Sequence, residues 1–110
     1  MKIADLPFTV TNFQAIAPVE HKGETGTSFW QVFECGNVRA RVVEYSPGYR
    51  SDHWCPRGHV FYVLEGEFGI VLKDGRRFLL GPGMGFEAGD DEGNPHFGYS
   101  EKGARVFIVD

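Results

Sequence analysis

Residues 59–80 read HVFYVLEGEFGIVLKDGRRFLL, and their pattern decides the fold. Phe68 to Lys73 and Arg76 to Leu80 are short apolar-rich runs flanking Asp74-Gly75, a dipeptide that supplies the positive φ of a type I′ turn, so a β-hairpin is expected here. His59 to Leu64 is apolar on both faces and predicts a strand enclosed on both sides. Gly66 separates that strand from the hairpin.

Outward from this segment the same grammar continues. Ser28 to Glu34 and Val38 to Tyr45 read as strands joined at Cys35-Gly36-Asn37. In the second, Val38, Ala40 and Val42 alternate with Arg39 and Arg41, which predicts an inward apolar face and a wet arginine face. The apolar phase shifts at Val43 and Tyr45, as it does at a bulge or where a strand bends between sheets. Ser46-Pro47-Gly48 is a turn, and Cys55-Pro56-Arg57-Gly58 has the Pro and Gly positions of a type I turn. Met84 to Ala88, a segment around His96 to Tyr99, and Ala104 to Val109 add further strands. The first 26 residues are harder to read, with Pro7-Phe8-Thr9-Val10 a short strand and Glu20 to Ser28 a loop.

Gly or Pro interrupts nearly every window long enough for three helical turns. Nine or ten short strands in 110 residues must close on themselves or pack as two sheets, so the expected fold is an all-β barrel or double-sheet jelly roll. One domain is expected over 1–110, with 1–26 an N-terminal extension containing a loop and 27–110 the barrel. A net charge of −4 without a Lys/Arg block argues against nucleic acid or an anionic membrane as partner. No apolar run approaches the roughly 20 residues of a membrane span, and the start lacks an export signal, so a cytoplasmic protein is expected. Exposed strand edges make a homodimer the expected assembly.

The chemistry concentrates in three of the four histidines and one cysteine. His53 and Cys55 are two apart, so an extended segment presents both on one face. His59 then opens the next strand, and His96, behind Pro95, must be brought in by the fold. Imidazole and thiolate favour zinc, iron, nickel or copper over magnesium or calcium. The spacing His-x-Cys-x3-His alone leaves metal binding and a plain buried thiol at Cys55 both open.

The stretch Gly48 to Gly66 resembles the first motif of the cupin superfamily. Gly48 stands at its first Gly, His53 at its first His, Cys55 at its second His, His59 at its Glu and Gly66 at its closing Gly. Pro82-Gly83 and His96 resemble the turn and the metal-binding His of the second motif, with Ser100 where an Asn is usual. Asp52-His53-Trp54-Cys55 looks more closely like the small DHCW-motif cupin fold proteins, which carry no assigned reaction. The resemblance implies a jelly-roll barrel and a metal site of His53, Cys55, His59 and His96 without a carboxylate, holding one transition ion (zinc, iron or nickel) per chain.

Two functions follow from such a site. A metal-dependent enzyme of oxygenase or isomerase type acting on a small molecule in the barrel needs an open position on the ion. A closed three-nitrogen, one-sulfur zinc shell is instead a structural or sensing module. Other residues read as ordinary: His21 as a surface side chain, Gly23 to Thr27 as a turn, Asp90-Asp91-Glu92 as a solvated loop. Trp54 belongs to the core or the pocket mouth, and Arg50, Arg57, Tyr62 and Tyr99 are structural or orient an anionic substrate. A Cys35 to Cys55 disulfide is disfavoured.

Overall fold

A computed structural model describes residues 2–110 as ten strands in two antiparallel sheets. The strands are β1 (Val19–Lys22), β2 (Thr27–Cys35), β3 (Val38–Tyr45), β4 (Tyr49–Arg50) and β5 (His59–Gly66), then β6 (Phe68–Leu72), β7 (Arg77–Leu80), β8 (Gly85–Ala88), β9 (His96–Ser100) and β10 (Ala104–Val109). One sheet has the order β1-β2-β3-β10-β5-β8 and the other β4-β9-β6-β7. Consecutive strands repeatedly lie in opposite sheets, as a jelly roll requires. The core between the sheets holds Val43, Val63 and Val106, each fully buried, with Phe61, Phe68 and Ile70 around them. Among the described residues no helix is long and apolar enough to cross a membrane.

The hairpin at 68–80 forms, but its connection is longer than a type I′ turn. The Gly75 N–H donates to Leu72 O, the Leu72 N–H to Arg76 O, and of the two turn residues only Gly75 has positive φ (+99°). Asp74 instead caps the loop with its carboxylate, accepting from the Arg76 backbone and guanidinium. The Cys55–Gly58 stretch is likewise not a closed turn: the Cys55 carbonyl accepts from His96, and the Gly58 N–H donates to the Asp90 carboxylate. Residues 7–10 form no strand, while Glu20 to Lys22, expected as loop, belong to β1. A single 3-10 turn, Phe13–Ala15, carries Phe13 onto Phe107 of β10.

Two inside-outside assignments reverse. The β2–β3 and β3–β10 registers run without a break, so β3 has no bulge. Arg39 and Arg41 share their face with Val43 and Tyr45, which points inward, and Arg41 is only 6% exposed. The phase shift in the sequence therefore records polar side chains entering the barrel. The bulge lies between β5 and β10, where Arg105 faces Glu65 and Val106 faces Val63, leaving Leu64 unpaired. On β5, Phe61 and Val63 are buried, but Val60, Tyr62 and Leu64 are exposed, so that strand is covered on one face only.

Within the second sheet the neighbouring strands β6 and β9 lay aromatic rings over glycines. A Cβ on Gly69 would collide with the Tyr99 ring, and one on Gly98 with the Phe68 ring. Gly98→Ala is expected to displace Phe68 from the core and destabilise by about 1–3 kcal/mol. The check is a lower urea midpoint with an unchanged far-ultraviolet circular dichroism spectrum.

Candidate metal centre

Cys55 and His96 are placed by backbone pairing. The Cys55 N–H donates to His96 O at 2.6 Å and the His96 N–H to Cys55 O at 3.0 Å, an isolated antiparallel bridge that joins the 52–58 segment to the start of β9. Directly opposed residues in such a bridge project their side chains to the same face. The acidic loop supports this segment, since the Asp91 N–H donates to Pro56 O at 2.9 Å beside the Gly58–Asp90 bond. Asp90 and Asp91 are thus bound to the site's backbone, not simply solvated.

His59 opens β5 in the other sheet, on the same face as Phe61 and Val63. Its Nε2 lies 3.7 Å from Cys55 Sγ. One donor atom from each of Cys55, His59 and His96 lies within 4.8 Å of the other two. Two tetrahedral zinc ligands at the usual Zn–S and Zn–N bond lengths sit about 3.6 Å apart, so the Cys55–His59 spacing fits a shared ion.

On the far side of His59, Nδ1 is 3.2 Å from Asp110 Oδ2, although its N–H direction makes no linear hydrogen bond with it. A carboxylate behind a histidine is the usual device that orients an imidazole for a metal. Asp110 reaches this position because it continues the β3–β10 ladder opposite Arg39, with backbone bonds of 2.9 Å in both directions. Its carboxylate accepts from Arg39 Nε at 2.9 Å and Nη2 at 2.6 Å, and Arg41 Nη2 is 3.5 Å away.

Burial raises the Asp110 pKa, but the Arg39 hydrogen bond and the Arg41 and Arg39 charges outweigh it, and the group lies below its ordinary value. Burial lowers His59 to about 4, with Asp110 opposing and His96 reinforcing the shift. His96 is also lowered, by burial first and by His53 second. Both imidazoles are therefore neutral at pH 7, the form that binds a metal.

His53 is not in this group. Residues 52–53 form a bend, the His53 side chain is 68% exposed, and its Nδ1 lies 2.7 Å from Asp52 Oδ1. The bond to His53 holds the Asp52 carboxyl below its ordinary range. His53 nevertheless lines the rim of the same cavity as Cys55, His59 and His96. That cavity has a volume of about 300 Å³ and also reaches Trp30, Arg39, Arg41 and Phe86, residues that sequence reasoning did not assign to the site. The available signal was the pair of arginines out of phase in β3.

The other candidates separate cleanly. Arg57 lines the cavity, whereas Arg50 lies over the Phe97 ring and faces Glu24. Tyr62 is on the outer face, and Tyr99 packs on Gly69. Trp54 is 39% exposed, edge-on to Phe97 and beneath Lys73, outside the cavity lining. His21 is exposed and stacks on Trp30 at 3.8 Å. Both cysteines are free thiols, with Cys35 Sγ 3.7 Å from Asp5 O.

Solved structures share this architecture. An RmlC-like cupin from Shewanella frigidimarina matches with a TM-score of 0.71 at 18% identity, covering 96% of this chain and 91% of that one. Ectoine synthase from P. lautus matches at 0.73 and 16% identity, over 93% and 76%. Fe(II)-HppE matches at 0.74 and 14% identity, over 94% of this chain and 60% of its own length. No family model and no curated protein matches the sequence. The fold is that of the cupins.

Two consequences of the charge arrangement can be measured. In metal-free protein the unfolded chain takes up a proton on His59 near pH 6.5 while the folded chain resists until about 4, so stability is full above 6.5 and declines as pH falls through that window. The slope of unfolding free energy against pH should flatten in His59→Gln. Asp110→Asn strips Arg39 and Arg41 of their buried counter-charge and should cost about 3–5 kcal/mol in a denaturant titration.

Proposed function

We propose that the protein binds one transition-metal ion through Cys55, His59 and His96 and acts as a metal-dependent enzyme on a small molecule held in the cavity. The observation that carries this reading is the convergence of one sulfur and two neutral imidazole donors at the wall of a cavity. Zinc, iron and nickel suit the donor set. A bound ion supplies Lewis-acid or redox chemistry there.

His53 belongs to the proposed site in a different capacity. Its Nδ1–H donates to Asp52, which leaves Nε2 as the basic nitrogen at the rim. Held this way, His53 is placed to move a proton to or from a ligand in the cavity. Aromatic rings form part of the cavity wall, where Phe61 and Phe86 stack at 4.8 Å. The Asp52-His53-Trp54-Cys55 run supports a place near the DHCW-motif cupin fold proteins. Fold relatives named as enzymes, among them ectoine synthase and Fe(II)-HppE, support catalysis in general and no particular reaction.

The alternative is a closed zinc module in which His53 turns inward to complete a three-nitrogen, one-sulfur shell. The lining position of His53 favours it, and its exposure and bond to Asp52 oppose it. The exposed Val60, Tyr62 and Leu64 on the outer face support the homodimer that belongs to this proposal.

Elemental analysis should find about one transition ion per chain. The cobalt-substituted protein should show an intense sulfur-to-metal charge-transfer band that is lost in Cys55→Ala, while His53→Ala keeps both the band and the stoichiometry. Loss of the ion in His53→Ala would favour the closed module, and absence of any ion after reconstitution would contradict both.

A further inference from the structure

We infer that the cavity takes its small-molecule substrate by a carboxylate group, paired with the guanidinium of Arg41. This names the substrate class for the site proposed above and rests on the reading that ligands occupy this cavity. It is motivated by an imbalance of charge that the metal donors do not use.

The chain as a whole is acidic, with a net charge of −4. The cavity is the reverse: Arg39, Arg41 and Arg57 line it, and among the described residues no Asp or Glu does. A cleft of one sign, walled by apolar groups, concentrates ligands of the opposite sign.

The three arginines are not equivalent. Arg39 is satisfied, since its Nε and Nη2 hold the two oxygens of Asp110. Arg57 is exposed at the rim. Arg41 has a side chain only 7% exposed, its sole ion-pair contact is Asp110 Oδ2 at 3.5 Å, and its buried Nε–H has no acceptor among the described residues. A buried guanidinium without a full partner is costly, because its desolvation is not compensated by hydrogen bonds. Burial is the first cause lowering the Arg41 pKa, ahead of the opposing Tyr45 and Asp110 effects.

Geometry favours a carboxylate over other anions. Arg41 lies 4.2 Å over the Trp30 ring, a contact that restricts the motion of its planar fork. A planar fork matches a planar two-oxygen acceptor. A phosphate dianion needs further donors, and Arg39, the nearest candidate, is committed to Asp110. The remaining walls carry aromatic rings, including Tyr45, Phe61 and Phe86. An acid with a compact apolar or aromatic body therefore fits the space of about 300 Å³.

The test uses the metal-loaded full chain and two probes of nearly the same shape, phenylacetate and its neutral amide phenylacetamide, with inorganic phosphate as a third. Binding is followed by calorimetry and by the Arg41 Nε–H resonance in nitrogen-edited spectra, assigned from its loss in Arg41→Gln. Phenylacetate is expected to bind at least about tenfold more tightly than the amide, to shift the Arg41 resonance, and to lose about tenfold in Arg41→Gln with partial recovery in Arg41→Lys. Equal affinity for acid and amide, no binding of either, phosphate outcompeting the acid, or an undiminished affinity in Arg41→Gln overturns the inference. If Arg41→Gln does not fold, the acid-against-amide comparison and the resonance shift in the unsubstituted protein decide alone. Metal content measured on the same samples keeps the two readings apart: full metal without acid binding defeats only this inference, while absence of metal defeats the proposed function.

Discussion

The backbone bridge between Cys55 and His96 is the constraint on which the site depends. Without it, the 52–58 segment is an irregular connection with few internal hydrogen bonds, and nothing would hold a thiol beside a histidine forty-one positions away in the chain. Two backbone bonds fix the pair, and Gly58–Asp90 and Asp91–Pro56 brace the segment from behind. His59 then needs only to enter β5 in phase with Phe61 and Val63 to meet them. The donor group therefore forms where the connection between the two sheets is pinned down.

The second organising element is the carboxylate of Asp110. It lies almost fully buried between β3 and β5, touching Arg39, Arg41 and His59. Buried charge is tolerated when partners supply hydrogen bonds, and here Arg39 does so with both forks while Arg41 remains underused. One carboxylate thus lies 3.2 Å from a candidate metal ligand and anchors the cavity's positive wall. The barrel accepts polar groups in its interior at this end, and the all-apolar packing of Val43, Val63 and Val106 lies deeper.

Much of this was legible in the sequence. The boundaries of β3 and β10, the hairpin at 68–80 and the jelly-roll class followed from period-two patterning and turn residues. Cys55, His59 and His96 were legible from residue chemistry. Local pattern failed where charged groups enter the barrel: alternation in β3 assigned Arg39 and Arg41 to water because interior arginines break the rule that pattern reading relies on. His53 was grouped with Cys55 on the premise of an extended segment, and the bend at 52–53, bonded within itself, turns it to the rim. Asp110 could not be assigned, since its role arises only from the pairing of β10 between β3 and β5.

In the proposed site Cys55, His59 and His96 share one ion with a coordination position left open to the cavity. X-ray absorption at the edge of the bound metal measures that shell directly. The expected result is one sulfur near 2.3 Å, two nitrogens near 2.0–2.1 Å and an exchangeable solvent ligand. A shell of one sulfur and three nitrogens with no solvent, or a shell without sulfur, would contradict it.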